Sequence, residues 1–241
     1  MSKCGLKSSF VILSIVGAIV FLVGCSTPSA EEPGSVPATE ASESTPAALP
    51  LPLSGSDIDE NINQDTIDGY LNRNDVAYFE TRMLYDPASF GEGTQSNLTQ
   101  TLPGFKVVPY PYLGTIPIPL DGVYSGPNLY TIEWNGDGTI ASAKPNYQES
   151  ERILADLFPK DKALFIQCGA GAYAGFTKLL LVELGWDEKK IYNVGGNWSY
   201  SGSNAVDLTI PIPSDDPSRA FIASWRTDAA YIDFSQLHPI S

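Results

Sequence analysis

Two apolar periods alternate along the chain beyond residue 64. Val76-Ala77-Tyr78-Phe79 and Ala163-Leu164-Phe165-Ile166-Gln167 are short, nearly unbroken apolar runs. Runs of this length and make-up predict strands buried on both faces. Lys190 to Val194 (KIYNV) predicts another strand, and Phe105 to Val108 a short one. Between them the period changes. Tyr147 to Leu157 places Ile153, Leu154 and Leu157 on one helical face, and Pro159 closes it. Phe176 to Leu184 (FTKLLLVEL) predicts a helix with Gly185 as its C-terminal cap. Asp65 to Asn72 predicts a short helix, with Ile67, Tyr70 and Leu71 on one side. Helix, strand, loop, helix and strand with short connections predict an α/β fold, a small open parallel sheet flanked by helices.

The stretch 83–145 interrupts this pattern as a long irregular insertion. Residues 83–103 are polar and Gly-rich and predict loop; residues 109–119 hold four prolines and predict an extended, irregular segment. Leu129 to Trp134 and Thr139 to Ala143 flank Asn135-Gly136-Asp137-Gly138, which predicts a hairpin. That turn resembles part of a calcium loop but lacks the downstream Glu of an EF-hand. Tyr110, Tyr112, Tyr124, Tyr130 and Trp134 are expected to pack the insertion onto its domain, with a ligand groove as the other reading. The insertion is expected to cover a sheet edge or the mouth of the Cys168 loop. Beyond Asp207 the pattern is weak; Ala220 to Trp225 suits a helix or a strand.

The first 55 residues are not patterned like a fold. Lys3 and Lys7 precede a 14-residue apolar run, Phe10 to Val23, too short for an ordinary spanning helix. Leu22-Val23-Gly24-Cys25 resembles a bacterial lipobox, which implies removal of residues 1–24 and lipidation of Cys25. The other reading is an anchor helix with a chance cysteine. Ser26 does not suggest retention in an inner membrane. Residues 25–55 follow as a flexible Ser/Thr/Pro/Glu tether that cannot bury enough surface to fold. The folded domain is expected over 56–241. A membrane-anchored, extracytoplasmic bacterial lipoprotein results.

Charge narrows the partners. The chain has 14 basic and 28 acidic residues, a net charge of −14. Loss of residues 1–24 leaves 12 against 28, or −16. Nucleic acid and anionic lipid are poor partners for such a surface. The single histidine, His238, is expected at the surface or in packing, and no metal or cofactor is expected. A monomer is expected.

Cysteine arithmetic isolates one position. Cys4 leaves with the signal and Cys25 carries lipid, so Cys168 is the one thiol of the body and has no disulfide partner there. Cys168 closes a predicted strand, and Gly169 to Gly175 (GAGAYAG) leads into a predicted helix. Small residues let loop amides converge on the sulfur, and the helix N-terminus adds positive potential. Both effects favour a thiolate and predict a lowered pKa. A Cys-x5-Arg phosphatase loop needs Arg where Ala174 stands. Gly169-x-Gly171-x-x-x-Gly175 is a loose dinucleotide fingerprint, but KIYNV ends without the ribose-binding acid.

Three segments together resemble the rhodanese-like (sulfurtransferase) family: the strand ending Glu80-Thr81-Arg82, the strand, cysteine and loop Leu164 to Ala174, and Ile191-Tyr192-Asn193-Val194-Gly195-Gly196-Asn197-Trp198. The resemblance covers about 75–205. It implies that Cys168 carries a persulfide in sulfur transfer and that Gly169, Ala170, Gly171, Ala172, Tyr173 and Ala174 form the substrate loop. A small sulfur compound or a protein thiol would be the partner. Arg82 is expected to hold an ion pair or strand-end carbonyls, or else to serve the site. Tyr173 stands where thiosulfate-handling members present Arg or Lys, so weak or absent thiosulfate turnover is expected. The alternative is a catalytically inactive rhodanese-like binding module with Cys168 as a buried core thiol.

Overall fold

The buried apolar runs pair side by side, as their composition requires. In chain order the elements of the computed structural model are β1 (Val76–Glu80), β2 (Gln100–Thr101), β3 (Lys106–Val107), the one-turn helix α1 (Tyr110–Leu113), β4 (Tyr130–Trp134), β5 (Ile140–Pro145), α2 (Ser150–Leu157), β6 (Ala163–Cys168), α3 (Ala172–Glu183), β7 (Ile191–Gly196) and β8 (Val206–Asp207). The structure describes residues 47–82, 100–117, 126–207 and 232–241. Among these, β3, β1, β6 and β7 form a four-stranded parallel sheet in that order. Val76 sits opposite Ala163, and Leu164 opposite Ile191. The expected α/β class, a parallel sheet flanked by helices, is what the chain forms.

Period-two alternation divides the core into two faces. Val76, Tyr78, Phe165, Tyr192 and Val194 point to one side, where they meet Ile62, Ile67 and Phe105. Phe79, Leu164, Ile166 and Ile191 point to the other, where Leu180 and Leu181 of α3 and Leu154 of α2 cover them. Burying one such side chain contributes about 1.5–3 kcal/mol. β7 ends the sheet, and the chain before β1 straps it. Asp59 N–H donates to Asn193 O at 2.8 Å, and the Tyr192 hydroxyl donates to Pro50 O at 2.7 Å. This use of a main-chain acceptor blunts an open edge. The compact body spans Pro46–Ser241. Residues 47–55, which composition assigns to the tether, therefore lie on it. Leu49 packs against the core, and the other contacts are mainly carbonyls and amides held by side chains elsewhere, which leave no apolar pattern.

β4 and β5 make a separate antiparallel pair, closed by the expected turn: Asn135 N–H donates to Thr139 O at 2.8 Å. Among the described residues the insertion's aromatics are packed. Tyr110, Tyr112 and Tyr130 are buried, the Tyr110 ring stacks on Tyr173 at 5.8 Å, and Trp134 meets Phe176 at 5.1 Å. The insertion therefore leans on the first turns of α3. His238 is at the surface, its Nδ1 2.6 Å from Glu149 Oε1.

Several local expectations need correction. Asp65–Asn72 yields only a 3-10 turn, Ile67–Tyr70, because it is too short to propagate a helix and Asn72 turns left-handed at φ 59°. Residues 109–119 are not extended throughout. Pro109 caps α1 and Pro111 sits in its first turn, where a missing N–H costs nothing. The helix expected from Tyr147 starts at Ser150, and the one expected from Phe176 starts four residues earlier, at Ala172. β7 runs on through Gly195 and Gly196. Gln100–Thr101, expected as loop, pairs antiparallel with Val206–Asp207. Residues 83–99, Tyr124, Ala220 to Trp225, the signal, Cys25 and the tether to residue 46 lie outside the described residues.

Candidate functional site

β6 ends at Cys168 with its last five residues buried. Gly169, Ala170 and Gly171 then reverse the chain into α3. Gly171 occupies φ +90°, a conformation that strains any L side chain, and it serves as the N-cap. Ala172, Tyr173 and Ala174 of the expected loop are thus the first turn of α3. Gly171 N–H donates to Cys168 Sγ at 3.0 Å.

The sulfur is nevertheless shut in. Cys168 is 1% exposed. Burial pushes its thiol pKa up, and the Glu80 carboxylate pushes the same way; the N–H groups of Ala174, Ala170 and Tyr173 oppose them. The expected lowering of the pKa is therefore overturned. The amide cradle exists, but desolvation of the charged form outweighs it. Trp198 packs on the residue next to Cys168: its backbone N–H donates to Gly169 O at 3.1 Å, and its indole lies 2.5 Å from where a Cβ on Gly169 would sit. Gly169 is needed for that approach.

Beside Cys168 lies a buried polar network. Arg82, 2% exposed, pairs with Glu80, 0% exposed, at 3.0 Å. Arg82 also donates to Gln100 O, and its N–H donates to Glu80 Oε1 at 3.0 Å. Gln167 Nε2 donates to Glu80 Oε2 at 2.9 Å and to Thr101 Oγ1 at 3.1 Å. Arg82 thus does both things expected of a structural residue: it holds an ion pair and a carbonyl. Its charge is met by Glu80.

The outer side of the same loop is open. A cleft of ≈ 650 Å³ runs along it. Ala170, Gly171, Ala172 and Gly175 form its floor. Ile58, Phe176 and Leu179 supply apolar wall, and Asp57 and the hairpin-tip Asp137 supply carboxylates. Cys168 does not line it. Asn193, at the cleft, ties the parts together: its Nδ2 donates to Ser56 O and to Gly171 O, both at 2.9 Å.

The three segments carrying the family resemblance converge here. β1, ending at Glu80, flanks β6 on one side, and β7 flanks it on the other. The loop residues Gly169 to Ala174 come together as expected, though Tyr173 packs on Tyr110. Sequence reasoning missed the strap residues Asp57 and Ile58, which lie in a stretch with no periodic signal. It also missed the burial of Glu80 against Gln167. The strong apolar runs immediately before each of those two residues were the available sign. Among the described residues no helix is long and apolar enough to cross a membrane. Compared with known proteins, the chain matches no family model, no curated protein and no solved structure.

Proposed function

We propose that this chain is a lipid-anchored, extracytoplasmic rhodanese-like binding module in which Cys168 is a core thiol rather than a working nucleophile. One observation carries this reading: the thiol is 1% exposed, with burial and Glu80 both favouring its neutral form. A nucleophilic cysteine needs thiolate character and access. Alkylation kinetics test it. Native Cys168 is expected to react roughly 100-fold more slowly than in denaturant, because reaction waits on local opening. Reaction at the rate of a free thiol refutes the reading. The anchor is tested separately: Cys25→Ala moves the protein from the membrane fraction to the soluble fraction, and retention in the membrane refutes lipidation.

A second reading has its own observation. The 3.0 Å bond from Gly171 N–H to Sγ, with the first-turn amides of α3, is a cradle suited to a sulfur anion. On that reading Cys168 carries a persulfide for a small sulfur compound or a protein thiol. Mass spectrometry of Cys168 in protein taken from cells distinguishes the two readings, as unmodified thiol supports the binding module and persulfide supports sulfur transfer.

A further inference from the structure

We infer that the cleft outside the Cys168 loop binds small organic cations: an ammonium or guanidinium group on an apolar body. The inference supplies a ligand class for the binding-module reading and rests on it only in using the same face of the molecule. The volume, ≈ 650 Å³, falls in the range of small-molecule sites. The floor is small and the walls are Ile58, Phe176 and Leu179, which suits an apolar body. Its charged lining is all of one sign. Asp57 and Asp137 line it and no Lys, Arg or His does.

The carboxylates are available to a ligand. Asp57 is exposed; its N–H donates to Ser54 O at 2.8 Å, and its carboxylate makes no hydrogen bond or ion pair among the described residues. Asp137 accepts from the hydroxyl of Thr139 at 2.6 Å and from its N–H at 3.0 Å, which holds its carboxyl below the usual range and keeps it ionised. The start of α3 also borders the cleft, and a helix N-terminus ordinarily draws anions. Here Gly171 N–H is directed at Cys168 Sγ, and the Ala170, Tyr173 and Ala174 N–H groups also act on that sulfur. An anion in the cleft would meet two carboxylates in place of those amides. The chain's net charge of −14 adds to the same preference.

Titration followed by NMR of the full folded body tests this with three probes of one shape: benzylammonium, benzyl alcohol and benzoate. Benzylammonium is expected to shift the amide signals of Gly138, Gly171 and Ala172 and to bind about 5-fold or more tightly than benzyl alcohol; benzoate is expected to shift none of them. Asp57→Asn and Asp137→Asn should each weaken benzylammonium roughly 2- to 5-fold, with the affinity falling as salt rises. Asn retains an acceptor for Thr139, and the same spectra report whether each variant is folded. Equal binding of benzyl alcohol, shifts that map elsewhere, or a double variant with unchanged affinity overturns the inference. A blocked Ala-Lys-Ala peptide that binds more tightly than benzylammonium overturns the small-molecule assignment in favour of a protein segment. These outcomes are separate from the alkylation result, which reports on the thiol alone.

Discussion

The Cys168 loop has two sides, and they treat polar groups in opposite ways. Inward, Glu80, Arg82, Gln167 and Thr101 are buried and bonded to one another, and Sγ accepts from Gly171. Outward, Asp57 and Asp137 stand in an open cleft beside apolar walls. Burial forces the first set to satisfy itself, since an unpaired buried charge is costly. Nothing forces the second. The chemically richer residues are thus the ones already engaged, and the groups left for a partner lie on the plainer surface.

The largest effect that would break this comparison is on the inner side. Glu80→Ala leaves the Arg82 guanidinium buried without its carboxylate and is expected to cost about 3–5 kcal/mol. Denaturant unfolding measures it. A matching Asp57→Asn should change stability by less than about 0.5 kcal/mol. Similar losses for the two variants would show that the sides do not differ in the way described.

Gly171→Ala comes next. The new Cβ would sit 2.8 Å from Ile58 Cγ1, at a φ of +90°. A loss of about 1–3 kcal/mol is expected from the strained backbone. Because Gly171 also donates to Sγ, alkylation of Cys168 should speed up in the same variant. Unchanged stability and alkylation would mean that the loop is not held by this turn.

The smallest effect concerns pH. The folded-state pKa of Cys168 is raised, so the folded protein keeps its proton where the unfolded chain loses it. Stability is therefore intact below the unfolded value of about 8.5 and declines as pH climbs through it, by up to ~1.4 kcal/mol per pH unit. The decline ends at the folded pKa. Cys168→Ala should flatten that slope in urea unfolding between pH 7 and about 10. Equal slopes in the two proteins would show that the thiol ionises alike in both states.

Much of this architecture is readable from the chain. The runs at Val76 to Phe79, Ala163 to Gln167 and Lys190 to Val194 name the three longest strands of the sheet, because strands buried on both faces need unbroken apolar sequence. Asn135 to Gly138 names the hairpin turn through its backbone preferences, and Gly185, at φ +89°, ends α3 as expected. Position along the chain also placed Cys168 at a strand end ahead of a helix. These are local properties, set by side chains within a few residues of each other.

What local sequence cannot express is which distant segment covers which. The amides around Cys168 follow from Gly169 to Ala174, but its burial follows from β6 lying between β1 and β7, strands distant in the chain. That burial reverses the direction of the thiol pKa. Residues 47–62 read as tether and the start of a domain, yet they close the β7 edge and wall the cleft through Asp57 and Ile58. Asp137 reads as a turn residue and becomes half of a charged lining only because the hairpin leans on α3. Desolvation and charge complementarity depend on distance in space rather than along the chain, so the tertiary fold alone decides them.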